Sequence, residues 1–234
     1  MDTADAEKLL RAHLIEGVGN QISWADLTYE LAKEISNHRE QIAEARFDEL
    51  FSRLWVILSD RQTLEVTKLL DPKKNYPTRS IPGTLAILKH HARLWRIPQR
   101  ESLIDALAQG GSEDTHLDQL SDEDLTYAVA QHYEKTLPDA PLLLQSRDKV
   151  IAHNEHISGP PLEAPTWGEA TRVVTYAKDF VNTIGYGYLS QLWVQNSTQR
   201  PAVALHRLLR TAGIVDSSYA SDHRGAPEAG ADDA

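Results

Sequence analysis

The chain has no cysteine. That removes disulfide frameworks, thiolate zinc sites and cysteine nucleophiles together, and it fits a reducing compartment. It also lacks an apolar run approaching the roughly 18 residues of a spanning helix. Met1 to Glu7 carries acids and no basic stretch leading into an apolar one, so no secretory signal is expected. The expectation is a cytoplasmic protein away from membranes. Proline is missing from the first 71 residues: all 11 prolines lie at or after Pro72. Positive charge is in short supply, with 24 Lys and Arg against 34 Asp and Glu, a formal net charge of −10. A domain that is basic overall and reads nucleic acid by charge alone is excluded. Several motifs are missing too. There is no Gly-x-Ser-x-Gly elbow and no His-Glu-x-x-His pair of zinc ligands, and Gly185-Tyr186-Gly187-Tyr188 lacks the Lys-Ser/Thr of a phosphate loop.

What remains reads as helix. The proline-free segment is rich in Ala, Leu, Glu, Lys and Gln, all good helix formers. Leu9, Leu10, His13, Leu14 and Val18 share one face of a first helix, which Gly17, Gly19 and Asn20 are expected to end. Ser23 reads as the cap of a second helix striped by Leu27, Leu31, Ile35, His38 and Ile42. A longer one, about 43–70, carries Phe47, Leu50, Phe51, Leu54, Leu58 and Leu64, and Asp71-Pro72 stops it. Ser80, Ser121 and Thr166 are further caps, for helices running to about Trp95, Lys135 and Ile184. Segments 101–108, 142–155 and 202–212 complete the set, and no convincing strand is left. The expected fold class is all-α, an antiparallel helical bundle with additional short helices. Residues 1–215 are read as one domain, with a helix at 3–18 as a candidate appendage. Residues 216–234, rich in Gly, Ala, Ser and Asp, are read as a disordered acidic tail. The five tryptophans read as core or interface anchors.

Two features carry chemistry. Between Arg61 and Arg100 nine bases meet only Glu65 and Asp71, a local +7 inside an acidic chain. Such a region is either a solvated helix face or a footprint for a phosphate backbone, with Lys89, Arg93 and Arg96 as its candidate RNA contacts. The second is the run from Arg147 to His156. On a helical wheel Arg147 falls among Leu143, Val150 and Asn154, in the middle of an apolar stripe. A guanidinium there needs a carboxylate partner from another helix, a ligand or a wet interface. His153 follows six residues later, about 240° round a straight helix. The two converge only if the helix distorts or two copies meet across a two-fold axis. A guanidinium beside a protonatable imidazole is a workable phosphodiester site. His153 and His156, or His90 and His91, would give a metal only two ligands each, so no metal or cofactor is expected.

The string Arg147-Asp148-Lys149-Val150-Ile151-Ala152-His153 resembles the Arg-x(4–6)-His motif of the HEPN superfamily (higher eukaryotes and prokaryotes nucleotide-binding). Leu54 to Asp71, ending Lys-Leu-Leu-Asp-Pro, then Ser80 and an apolar helix, is similar to the bacterial branch linked to phage abortive infection. The resemblance implies a helical homodimer with facing motifs and metal-independent cleavage of RNA. His153 would then be the general acid or base, and Arg147 would hold the scissile phosphate. Asp148 and Asn154 would orient them, and Lys149 would contact RNA. It also implies a toxin or phage-defence effector, with a protein antitoxin or regulator as a candidate partner. The competing reading is a non-catalytic helical dimer that binds protein, RNA or nucleotide.

Overall fold

A computed structural model describes residues 2–72, 79–109, 116–148, 165–193 and 199–215. Within them the chain is helical throughout and no strand occurs. Helix α1 (Thr3–Arg11) passes through a π-helical stretch (Ala12–Gly19) into α2 (Asn20–Asn37). A short α3 (Arg39–Glu44) leads to α4 (Asp48–Leu69), and α5 (Ile81–His90) ends in a 3₁₀ turn (Ala92–Leu94). Then come α6 (Arg100–Gln109), a second 3₁₀ turn (Leu117–Gln119), α7 (Asp122–Lys135), α8 (Pro141–Ser146), α9 (Trp167–Leu189) and α10 (Gln199–Thr211). No helix among the described residues is long and apolar enough to cross a membrane.

The long helices run antiparallel. Trp55 on α4 donates its indole N–H to Ser36 near the end of α2, whereas Arg61, further along α4, covers Trp24 near the start of α2. Asp26 pairs with Lys178 while Tyr29, later on α2, meets Trp167, earlier on α9. On α7, Thr126 accepts the Tyr188 hydroxyl and Tyr133 donates to Asp179, so α7 and α9 also oppose each other. The main core joins Leu10, Leu14, Leu85, Leu88, Trp95, Val129, Phe180 and Ile184. The N-terminal helix adds Ala6 and Val18 to that same core. A second cluster, Ile35, Ile42, Phe51, Leu209, Ile214 and Val215, fastens α10 across the α2–α4 corner.

The caps at Ser80, Ser121 and Thr166 are where the sequence puts them. Each side-chain oxygen accepts a backbone N–H three residues on. Other expectations fail for packing reasons. Gly17, Gly19 and Asn20 do not end a helix, because the turn widens to π geometry and carries on. The glycines instead admit neighbours. A Cβ on Gly17 would lie 2.6 Å from Arg79 Cβ, and one on Gly19 would lie 2.5 Å from the Trp193 indole nitrogen. Ser23 therefore sits inside the helix and donates to the Gly19 carbonyl. The buried stripe of α2 is Ile22, Ala25, Thr28, Ala32 and Ile35. Small residues let α4 and α9 approach, which a reading by large apolar side chains overlooks. The helix after Ser80 stops at His90, and Trp95 lies beyond it in extended backbone, giving its N–H to the Leu88 carbonyl. Gly185 and Gly187 fall within α9, which ends at Ser190 in the left-handed region. Phe47, at the cap of α4, and Leu50 and Leu54 on it are exposed, not core, together with Val56 and Ile57. Residues 216–234 lie outside the described residues.

Candidate functional site

Arg147 caps the C-terminal end of α8. Leu143, one turn earlier, is fully in the core, and the helix packs on α4. The apolar stripe thus draws Arg147 in, leaving its side chain 22 % exposed. Its charge is met from two sides. Nη1 donates to Asp71 Oδ1 at 2.5 Å and Nε to Asp148 Oδ1 at 2.6 Å. The Asp148 hydrogen bond, reinforced by Asp71, pushes the guanidinium pKa above its ordinary value against the opposing effect of burial. Two of the five N–H groups of an arginine are committed in this way. The local charge of the three side chains is −1.

Asp71 is held as firmly as it holds. It follows the last turn of α4, where its N–H reaches the Lys68 carbonyl. Its own carbonyl accepts the Ser80 hydroxyl at 2.7 Å, and that oxygen in turn caps Gly83 N–H. The end of α4, the start of α5 and the end of α8 therefore meet at one point. The other end of α8 is fixed by Glu169. Thr166-x-x-Glu169 has the pattern of a capping box, and Thr166 does accept the Glu169 N–H. The carboxylate, however, turns across and accepts the Leu142 N–H at the start of α8. A buried negative charge there opposes the positive end of the α8 dipole.

Asp71 and Glu169 are the residues that sequence reasoning missed as parts of this site. Asp71 served only as a helix stop, although the need of Arg147 for an acid from another helix pointed to a residue of its kind. Of the other expected site residues, Asp148 is in place beside Arg147. Lys149, His153 and Asn154 lie outside the described residues.

The basic stretch is met by acids. Arg61 and Lys68 both bind Glu65, which is buried. Lys89 pairs with Glu134 on α7 at 2.5 Å and Arg93 with Glu123 at 3.1 Å. Arg100 binds Asp122 and the Leu117, Asp118 and Leu120 carbonyls, stapling the second 3₁₀ turn to α7. Arg96 is exposed. Lys89 lies nine residues along α5 from Ser80, or about 13 Å from the Asp71 junction. Lys89 and Arg93 thus form a separate surface with His90, His91 and Tyr127.

No curated protein and no solved structure matches the chain. A family model does: HEPN_AbiU2, described as AbiU2, over residues 8–204. That span takes in every described helix from the last turn of α1 to the first half of α10, and both the Leu-Leu-Asp-Pro junction and the Arg147 motif fall within it. The chain belongs to the AbiU2 family of HEPN proteins, the HEPN family linked to abortive infection.

Proposed function

We propose that this chain is a HEPN-type endoribonuclease acting as a homodimer, with no metal in the chemical step. The observation that carries the reading is the clamped guanidinium of Arg147: half-buried, aimed by Asp71 and Asp148, and six residues before His153. Preorganised charge of this kind stabilises a transition state best, because it needs no reorganisation as the reaction proceeds. The 2′-hydroxyl attacks the adjacent phosphorus while His153 takes its proton. The P–O5′ bond breaks, and the leaving oxygen takes a proton from solvent water. The products are a 2′,3′-cyclic phosphate and a 5′-hydroxyl. Asn154 and Lys149 take the positioning and RNA-contact roles that the family resemblance gives them. Lys89, Arg93 and Arg96 serve as an outlying RNA contact, with Glu134 and Glu123 yielding to the backbone. Restraint by a protein antitoxin belongs to the same reading.

The dimer has its own support. Leu50, Leu54 and Ile57 stand at i, i+4 and i+7 on α4, with Phe47 one turn before them at its cap, and all four are exposed. A contiguous apolar row of this kind marks an interaction site. The same row supports the second reading, a non-catalytic interaction module. Incubation of the purified chain with RNA in EDTA separates the two. Cyclic-phosphate ends that disappear in His153→Ala, and largely in Arg147→Lys, are the expected result. General acid–base groups contribute about 10²–10⁴ in rate, and lysine keeps the charge but loses the planar fork. Full cleavage by His153→Ala refutes the mechanism. RNA or protein binding without cleavage favours the second reading.

A further inference from the structure

The other end of the bundle holds a cluster that the ribonuclease reading does not use. Glu34 lies in the last turn of α2, His38 caps that helix four residues on, and His206 comes from α10. Glu34 Oε1 lies 3.0 Å from His38 Nε2 and 2.8 Å from His206 Nδ1, and the two nitrogens are 3.3 Å apart. Each ligand atom is thus within hydrogen-bond range of the other two.

Hydrogen bonding alone accounts poorly for this triangle. If both imidazoles donated to the one carboxylate oxygen, the angle between the bonds there would be only about 70°, far below the spread of an sp² oxygen's lone pairs. The two hydrogens would be crowded to about 2 Å from each other. A cation relieves the crowding. Ligand atoms about 2.1 Å from one ion are about 3.0 Å apart in an octahedral shell and about 3.4 Å apart in a tetrahedral one. The three separations fall in or next to that range. An ion about 2.1 Å from all three atoms would sit about 1 Å out of their plane.

We infer that Glu34, His38 and His206 form a binding site for one divalent transition-metal ion, zinc first. Two imidazoles and one carboxylate are a borderline donor set that suits Zn²⁺ and disfavours Mg²⁺ and Ca²⁺, which prefer all-oxygen shells. The side chains of Glu34, His38 and His206 are 17 %, 6 % and 25 % exposed, so water can complete the coordination. Because two ligands come from the C-terminal end of α2 and its cap and one from α10, the ion fastens the C-terminal helix to the bundle. Ile35 and Leu209, three residues from His38 and from His206, already join the same helices. The site adjoins the Phe51 end of α4, about 30 Å along that helix from Asp71. It takes no part in phosphodiester chemistry.

The test uses the full chain, stripped with chelator and dialysed, with Zn²⁺ titrated against a chromophoric chelator. One equivalent per chain is expected. Binding should weaken in both His206→Ala and Glu34→Gln by more than the 10–100-fold that loss of an outer-shell partner costs. Co²⁺ should give visible d–d absorption that both variants lose. At a hundredfold excess of Zn²⁺ over Kd the melting midpoint should rise by about 5–10 °C. Glu34→Gln keeps the side-chain shape, and metal-free circular dichroism verifies the fold of each variant. No tight binding by the native chain overturns the inference. So does binding that both variants retain, which would place the ion elsewhere. RNA cleavage in EDTA is a separate readout at the opposite end of the bundle, so either proposal can fail alone.

Discussion

Neutralising Asp71 tests the junction on which the site is built. Asp71→Asn keeps the shape of the side chain and removes the charge facing Arg147. Two unit charges about 4 Å apart attract by about 4 kcal/mol at an effective dielectric near 20. That figure is an upper limit. The Asp71 side chain is 34 % exposed, and screening pulls the value towards the 1 kcal/mol or less of open pairs. The expected coupling between Asp71 and Arg147 is about 1–2 kcal/mol. The measurement is a double-mutant cycle of Asp71→Asn with Arg147→Gln, read by urea unfolding. Asp71→Asn alone should lower the melting midpoint by about 2–8 °C. Arg147 should also become a better anion receptor, because the local charge rises from −1 to zero. RNA affinity should therefore increase by about fivefold, the equivalent of about 1 kcal/mol. Single-mutant effects that add to within about 0.3 kcal/mol would refute the argument. So would RNA affinity that falls.

Three other perturbations have defined outcomes. Burial, and then the Arg79 guanidinium, hold the His13 pKa below its ordinary 6.5, and burial lowers that of His132 despite Asp179. The unfolded chain therefore binds these protons first, so stability is complete above pH 6.5 and is lost as the pH falls below it. The melting midpoint of the native chain should fall more steeply between pH 7 and pH 5 than that of His13→Gln, and parallel curves would exclude His13 as a source. Gly19→Ala should cost about 1–3 kcal/mol by overpacking against Trp193, and Trp193→Leu should recover part of the loss in thermal melts. Leu54→Glu with Ile57→Glu should give a monomer of unchanged helicity in sedimentation, and a dimer that survives both changes would place the interface elsewhere.

Helix order was legible in the sequence because caps and breakers act locally. Ser80, Ser121 and Thr166 each satisfy a backbone N–H within one turn, and Asp71-Pro72 stops α4 whatever lies around it. The errors came where a distant residue decides the outcome. Gly17 and Gly19 are helix breakers by propensity, yet Arg79 and Trp193 need their missing side chains. Ala25 and Ala32 outrank Leu27 and Leu31 in burial because helix axes close up on small residues. In the site, the centring of Arg147 on an apolar stripe foretold an acid from another helix. Which acid it was depended on tertiary folding, which brings Asp71 back across 76 residues. The convergence of Glu34, His38 and His206 was hidden for the same reason. In the sequence His38 is one step in an apolar stripe, and its partner His206 is 168 residues away.

The exposed row on α4 also limits the symmetry of any dimer it closes. The row centres near Leu54, and Asp71 lies 17 residues on, about 26 Å along the helix. A two-fold axis crossing α4 at Leu54 would pair the helices head to tail and set the two Arg147 clamps about 50 Å apart. One scissile phosphate could then never touch both. An axis running along α4 would pair the helices side by side in the same direction and leave both Asp71 ends level. Of the two arrangements, only the second lets two copies of the motif face a single scissile phosphate. The polarity of α4 against its symmetry mate, read by cross-links between single cysteines placed in this cysteine-free chain, would therefore decide whether each clamp works alone or in concert.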